Sequence, residues 1–202
     1  MTIDVFQPYL SAIRDEWDKA EEDLKRAEQI GNQPVVPSIK ELRYAGRRII
    51  DALHALERKE DAEAMKFIQD ALFNCHRARH DAIDAATSAI ALKLDFATSQ
   101  LGYEPVLKAF PKFASLLRDL DAIRERIARS RRNRADRQAI YSAIESVDFP
   151  KLVREYGEFT RAEPIMRALA KKQRRETTLS IIFGVVGLVA LAVTVVAWLF
   201  PR

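Results

Sequence analysis

Apolar residues recur along most of the chain at intervals of three and four, the spacing of one face of an α-helix. The first series predicts a helix that ends at Gly31-Asn32, with buried positions Leu10, Ile13, Trp17, Ala20, Leu24 and Ala27. Ser38 and Glu41 then have the spacing of a capping box, so a second helix is expected to begin at Ser38. Its predicted buried positions are Ile39, Leu42, Gly46, Ile49, Leu53 and Leu56.

A third series leads to Leu101-Gly102 and consists of Ile68, Leu72, Cys75, Ile83, Ala86, Ile90 and Leu94. No glycine or proline separates it from the second series, but a single helix over residues 38–101 would be much longer than the usual globular helix. We therefore predict an antiparallel hairpin over residues 38–101 that turns near Lys59-Glu60.

Further helical series begin near Phe113, Ile140 and Leu152, and prolines separate several of them. The chain has no stretch of alternating apolar and polar residues that is long enough for a strand. The fold class predicted for residues 1–170 is thus an all-α bundle of about five or six helices, with the 38–101 hairpin at its centre.

The last part of the chain has a different pattern. Apart from Arg202, none of the 33 Lys and Arg or 29 Asp and Glu residues follows Glu176, and residues 179–200 form an uncharged apolar run. As a helix these residues would be about 33 Å long, enough to cross a hydrocarbon core of roughly 30 Å. They predict a single transmembrane helix at the end of the bundle.

The residues before this run predict its orientation. Residues 167–176 carry five basic side chains and one acidic one, and the basic juxtamembrane collar, residues 171–178, contains Lys171, Lys172, Arg174 and Arg175. Basic residues favour the cytoplasmic side, so we expect a cytoplasmic N-terminal body and a C-terminus on the opposite side. The first twenty residues lack the apolar core of a signal peptide, so the chain is predicted to be a tail-anchored, single-pass membrane protein.

Arg79 is unusual because it falls between Cys75 and Ile83 on a face that should be buried. A buried guanidinium needs a carboxylate partner, since unpaired burial costs several kcal/mol. One interpretation is an ion pair with another helix that sets the register of the bundle. The alternative is a polar pocket or contact surface for an anionic ligand, formed by His76, Arg79, His80 and Asp84.

His76 and His80 are four residues apart and could also provide two ligands to a metal ion on one helix face. Two ligands do not complete a site, and no Glu-x-x-His pair of the kind found in di-iron bundles is present. We expect no metal or other cofactor and keep the histidine pair as an alternative. Cys75 is the single cysteine, so no intrachain disulfide is possible.

The segment from Arg47-Arg48 to His54 resembles the Arg-x(4–6)-His motif of HEPN ribonucleases, which are small all-α domains. The resemblance covers eight residues. It implies, as an alternative function, a membrane-tethered ribonuclease in which Arg48 and His54 act on the RNA 2′-hydroxyl and the scissile phosphate across a dimer. The sequence contains no nucleophile pair, phosphate-binding glycine loop or CxxC motif, and we expect a protein that is not an enzyme.

A second basic segment contains seven arginines and two acids within residues 124–137. No aromatic residue lies among these arginines, so nucleic-acid binding is not expected. Since the body would be held at a membrane, anionic lipid is the nearer polyanion. The predicted contacts with lipid or another polyanion are Arg124, Arg129, Arg131, Arg132 and Arg134, together with the four basic residues of the collar.

Within the apolar run, small or hydroxylated residues fall on one face, and Ser180, Gly184, Gly187 and Thr194 are the predicted self-association positions. We therefore predict a cytoplasmic helical bundle that mediates protein–protein interaction or self-assembly at the membrane, with a second copy or a cytoplasmic protein as partner. The layout of helical body and single span resembles small membrane effectors of bacterial defence systems. That resemblance implies an alternative in which copies assemble and perturb the bilayer.

Overall fold

A computed structural model describes residues 5–133 and 136–199 of the chain, with the backbone alone for residues 193–199. The helices in these ranges are α1 (Gln7–Gly31), α2 (Val36–Glu57), α3 (Asp61–Leu101), α4 (Tyr103–Ala109), α5 (Phe113–Arg132), α6 (Arg137–Ala143) and α7 (Phe149–Leu199). A π-helical segment, Ile144–Asp148, connects α6 to α7. No strand occurs in the described ranges, and the predicted all-α fold is confirmed.

The α2–α3 hairpin turns at residues 58–60, where the sequence predicts the turn. Lys59 has a φ of 64°, a left-handed conformation that reverses the chain although no glycine is present. Two ion pairs then connect the helices: Arg77 to Glu41 at 2.8 Å and Arg48 to Asp70 at 3.9 Å. In each pair the two residues are equally far from residue 59 in the sequence. This is the pattern of two antiparallel helices that turn at residue 59, as predicted.

The start of α2 differs from the prediction. The helix begins at Val36, with Pro37 in its first turn, and no side chain caps it. Proline favours this position because its fixed φ is helical and it has no N–H to leave unpaired. Ser38 is therefore already inside the helix and buried, and Glu41 pairs with Arg77 instead of returning to the first turn. The predicted capping box is wrong.

The buried face of α2 also differs from the predicted one. Ile39 is 42% exposed and Leu53 is 54% exposed, whereas the fully buried positions of this helix are small. Alanines seven residues apart line the core of three helices: Ala20 and Ala27, Ala45 and Ala52, and Ala64, Ala71 and Ala78. Because alanine lets helix backbones approach closely, these alanines lie at the centre of the interface between the helices, and larger apolar residues lie at its edges.

The chain divides into two compact units. The first unit comprises Met1–Asp95 and Leu117–Arg154. Its core contains buried residues of α1, α2 and α3, among them Ile13, Ala52, Ile68 and Cys75.

The second unit comprises Phe96–Leu116 and Glu155–Arg202. Its aromatic centre is Phe159, whose ring lies 5.7 Å from the rings of both Phe110 and Phe113. Helix α7 continues through Pro164, and Met166 and Ala170 are the last buried residues among its described side chains. Every described side chain from residue 171 to residue 192 is exposed.

Candidate functional site

Arg79 lies at the centre of a buried ionic network in the first unit. Its Nε donates to Oδ2 of Asp23 at 2.8 Å, and its Nη1 lies 2.7 Å from Glu145 and 3.5 Å from Glu16. Burial lowers the pKa of the guanidinium, but the hydrogen bond to Asp23 and the three carboxylates outweigh it, so the pKa is raised. Arg79 thus stays charged and holds α1 and the π-helical segment against α3.

His76 lies at the edge of this network. Its Nδ1 is 3.2 Å from Oε2 of Glu16 and 3.3 Å from Nε2 of Gln138. The hydrogen bond with His76 lowers the pKa of Glu16 to about 2 and prevails over its burial. Glu16 is therefore ionised at neutral pH.

His80 and Glu145 face each other deeper in the same network. His80 Nε2 lies 3.7 Å from Oε1 of Glu145, and neither atom has a hydrogen-bond partner among the described residues. Burial raises the pKa of Glu145 to about 7, and Glu16 and Asp23 add to this effect against the charge of Arg79. Burial also lowers the pKa of His80 to about 3, so its imidazole is neutral at pH 7.

Tyr141 connects the network to a second ion pair. Its ring stacks on the imidazole of His80, with 3.6 Å between the centroids, and its hydroxyl donates to Asp84 at 2.6 Å. Asp84 also accepts from Arg131 at 2.8 Å. Burial and the nearby carboxylate raise the pKa of Tyr141. The phenol therefore stays protonated and remains a donor.

The structure thus brings the four residues of the predicted polar cluster, His76, Arg79, His80 and Asp84, into one connected network. Three carboxyl groups contact Nε and Nη1 of Arg79, so acids of the same chain already balance its charge and an anionic ligand is not required. Across the described residues, no group of three or more His, Cys, Asp or Glu is placed to hold a metal ion. The arrangement suits a structural role that fixes which helices pack together.

Sequence reasoning missed the partners of Arg79. Glu16 and Asp23 are seven residues apart on α1, next to its buried face, and this spacing was the available signal. Glu145 and Tyr141 carried no comparable signal, because they follow the break between α5 and α6. Their position opposite α3 is a property of the tertiary structure.

The two residues of the ribonuclease-like motif lie on different faces of α2. Arg48 packs over the ring of Phe67 and lies 3.3 Å from Asp51, while His54 is exposed and 3.3 Å from Glu57. Six residues of helix place their backbones about 9 Å apart along the axis. The structure does not bring these two side chains together within one chain.

Four arginines of the second basic segment, Arg124, Arg129, Arg131 and Arg132, are exposed on α5, whereas Arg126 is half-buried and Arg137 belongs to α6. Arg124 lies 3.7 Å from Asp121, and Arg131 bonds to Asp84. Arg134 lies outside the described residues.

The basic collar and the apolar run both belong to α7, in the second unit. Arg174 donates to the carbonyl of Gln100 at 2.7 Å, while Lys171, Lys172 and Arg175 are exposed. From Leu179 to Leu191 the large apolar side chains are more than half exposed, and the helix is long and apolar enough to cross a membrane. Water solvates such a surface poorly, which points to a membrane or to other apolar helices around it.

The predicted self-association positions lie on this exposed helix. A Cβ atom added to Gly184 or Gly187 would meet nothing within 4 Å, so packing inside the chain does not require either glycine. Ser180 is exposed on the same helix, and the side chain of Thr194 lies outside the described residues.

Comparisons with protein-family models, curated proteins and solved structures find no match to this chain.

Proposed function

We propose that this protein is a helical body held at a membrane by the apolar part of α7, and that the body binds a protein partner or a second copy of itself there. The observation that carries the proposal is the exposure of the apolar run: each large apolar residue described from Leu179 to Leu191 is at least 51% exposed. Burying this surface in lipid removes the cost of exposing it to water.

The charge next to the apolar run supports an orientation with the body in the cytoplasm. Lys171, Lys172, Arg174 and Arg175 precede Leu179 by four to eight residues. Basic residues this close to a span favour the cytoplasmic side and attract anionic lipid headgroups. In this proposal α7 crosses the membrane once.

A row of exposed apolar side chains on α2 supports protein binding by the body. Val36 and Ile39 at the start of α2, and Ile50 and Leu53 about 16 Å further along, fall on one side of the helix, and each is between 42% and 54% exposed. Exposed large apolar side chains grouped on one helix face are typical of protein contacts. We propose this face of α2 as the contact with the partner or the second copy.

Self-association through α7 is a second way to assemble, and the open space beside Gly184 and Gly187 favours it. Small residues let two membrane helices approach closely. Assembly in this way would extend the function to perturbing the bilayer. Release of a dye from vesicles that contain the protein would measure this activity.

Paired charge substitutions test insertion of α7. Val186→Arg with Val189→Arg places two charges in the apolar run, each costing about 2.5–3.5 kcal/mol at the centre of a span. We expect the variant to be lost from the alkali-resistant membrane fraction. Ile50→Arg with Leu53→Arg is the matched control, because both pairs are three residues apart and similarly exposed. Equal retention of both variants would contradict the proposal.

The oligomeric state of the full chain in detergent tests the proposed binding of a second copy. Light scattering coupled to size-exclusion chromatography should show a complex of copies, and Ile50→Arg with Leu53→Arg should dissociate it if α2 forms the contact. A parental chain that is monomeric at every protein-to-detergent ratio would contradict self-assembly. The search for a separate protein partner would then use this same variant as its non-binding control.

A further inference from the structure

The corner between α3 and α4 lies beside the basic collar in the second unit. Arg174 donates to the carbonyl of Gln100 at 2.7 Å, and Gln173 donates to Glu104 at 2.6 Å. Gly102, with a φ of 83°, reverses the chain between these two contacts. The corner is therefore attached to the part of α7 that directly precedes the apolar run.

One face of α4 is apolar and exposed. Tyr103 is 62% exposed and Leu107, one turn later, is 42% exposed, whereas Pro105 and Val106 are buried against the second unit. Tyrosine is enriched where a protein meets the headgroup layer, because its ring is apolar and its hydroxyl is polar. A short helix with this face outward has the chemistry of an interfacial contact.

The charges around the corner are mainly basic. Lys108 follows Leu107 and lines a groove between α4 and α7 together with Lys172, Gln173 and Glu176. Counting Lys108 and the four basic residues of the collar against Glu104 and Glu176 gives 5 − 2 = +3. Such a surface attracts anionic lipid headgroups.

The depth of the corner follows from its contacts with α7. Gln173 precedes Leu179 by six residues, about 9 Å along the helix, and Glu176 precedes it by three residues, about 4.5 Å. A headgroup layer is about 5–7 Å thick on each side of the hydrocarbon core. If residue 179 begins the hydrocarbon, the Glu176 end of the groove lies within the headgroup layer, and the corner that bonds to Gln173 through Glu104, next to Tyr103 in the chain, lies at the outer edge of that layer.

We propose that the α3–α4 corner is a second membrane contact: Tyr103 and Leu107 dock at the headgroup layer of the leaflet that α7 enters, and Lys108 binds the phosphates of anionic lipids. This inference rests on the proposed membrane insertion of α7. It adds a site outside the span that fixes the second unit against the bilayer surface. Since its contact is partly electrostatic, docking depends on the lipid composition.

Fluorescence quenching in vesicles tests the contact on the full chain. A cysteine for an environment-sensitive dye is introduced by Tyr103→Cys, with Cys75→Ala to leave one thiol. The protein is reconstituted in vesicles of phosphatidylcholine and phosphatidylglycerol at about 3:1, a composition that supplies anionic headgroups. We expect a spin label on the lipid headgroup to quench the Tyr103 probe strongly.

Two further probe positions separate this inference from the function on which it rests. Phe183→Cys places the dye in the apolar run, where a spin label deep in the acyl chain should quench it. Thr160→Cys places it on an exposed position of α7 in the same unit, 19 residues before Leu179, where neither label should quench it. A quenched Phe183 probe with an unquenched Tyr103 probe would overturn the corner contact alone. An unquenched Phe183 probe would overturn insertion itself.

Charge reversal at Lys108 tests the proposed binding of anionic lipid phosphates by this residue. Each basic residue near an anionic surface changes binding by about fivefold, so Lys108→Glu should reduce the docking equilibrium by more than that factor. Quenching of the Tyr103 probe should fall accordingly, and pure phosphatidylcholine vesicles should give the same fall without any substitution. Lys66→Glu, on α3 in the first unit, is the control for a general effect of charge. Quenching that is insensitive to Lys108→Glu and to lipid charge would contradict phosphate binding by this residue.

Discussion

Nη1 of Arg79 lies 2.7 Å from Oε2 of Glu145, although the two residues are 66 positions apart in the chain. The contact connects the middle of α3 to the π-helical segment that precedes α7. The same guanidinium also holds Asp23 of α1, so one side chain joins three separate parts of the first unit. Removing it would leave buried carboxylates without their counter-ion.

Arg79→Met is expected to lower the free energy of unfolding by about 3–5 kcal/mol, because Asp23, Glu16 and Glu145 would lose their shared cation in a buried site. Urea unfolding of the detergent-solubilised full chain, followed by near-ultraviolet circular dichroism, measures the change. Arg47→Met is the control: Arg47 forms an exposed pair with Asp51, and its loss should cost no more than about 0.5 kcal/mol. Similar values for the two variants would contradict a structural role for the network.

Glu145→Gln is expected to change the pH dependence of stability. Burial raises the pKa of Glu145 from 4.5 to about 7, so between these values the folded chain holds a proton that the unfolded chain releases. Stability from this group is therefore lost as the pH rises through the window from 4.5 to 7. A glutamine does not titrate, so the variant does not lose stability in this way. The free energy of unfolding of the variant minus that of the parent should therefore increase from pH 4.5 to 7 and then level off.

Urea unfolding at a series of pH values measures this difference. Glu125→Gln on α5 is the control, because Glu125 is exposed and the variant reports the general effect of replacing one glutamate by glutamine. A difference for Glu145→Gln that stays constant or falls as the pH rises would contradict a raised pKa for this carboxyl group.

Tyr141→Phe is expected to destabilise the chain by about 1.5–3 kcal/mol, the range for a lost hydrogen bond to a charged group. The variant removes the donor to Asp84 but keeps the ring that stacks on His80. Tyr44→Phe on α2 provides the control, since Tyr44 is 48% exposed and its change should stay within about 0.5 kcal/mol. Equal stability of both variants would show that the Tyr141 hydroxyl bond contributes nothing.

Gly184→Leu with Gly187→Leu is expected to reduce assembly of the full chain in detergent without altering its helical content. A Cβ atom added at either position meets nothing within 4 Å, so we expect the effect on assembly to come from a neighbouring helix. Val185→Leu with Val186→Leu adds bulk elsewhere on the same turn and should have a smaller effect. An unchanged distribution of oligomers for both pairs would exclude the glycine face as a contact.

Local patterns determined much of the fold. The spacing of apolar residues predicted the helices, and the absence of charge from residue 177 to residue 201 predicted the apolar helix, because both properties depend only on residues within a few turns of one another. The position of Arg79 on a buried face likewise indicated that it needs a carboxylate. The local pattern did not predict which carboxylate would be its partner.

The tertiary structure decided which face of each helix is innermost and which side chains meet. On α2 the predicted positions Ile39 and Leu53 are exposed, while Ala45 and Ala52 are buried, because the approach of a neighbouring helix selects the smallest residues at its closest point. In the same way, packing against α3 selected Glu145 and Asp23 as partners of Arg79. The periodicity of apolar residues predicts that a helix has a buried face. Only the distance to the neighbouring helices decides which residues lie at the middle of that face.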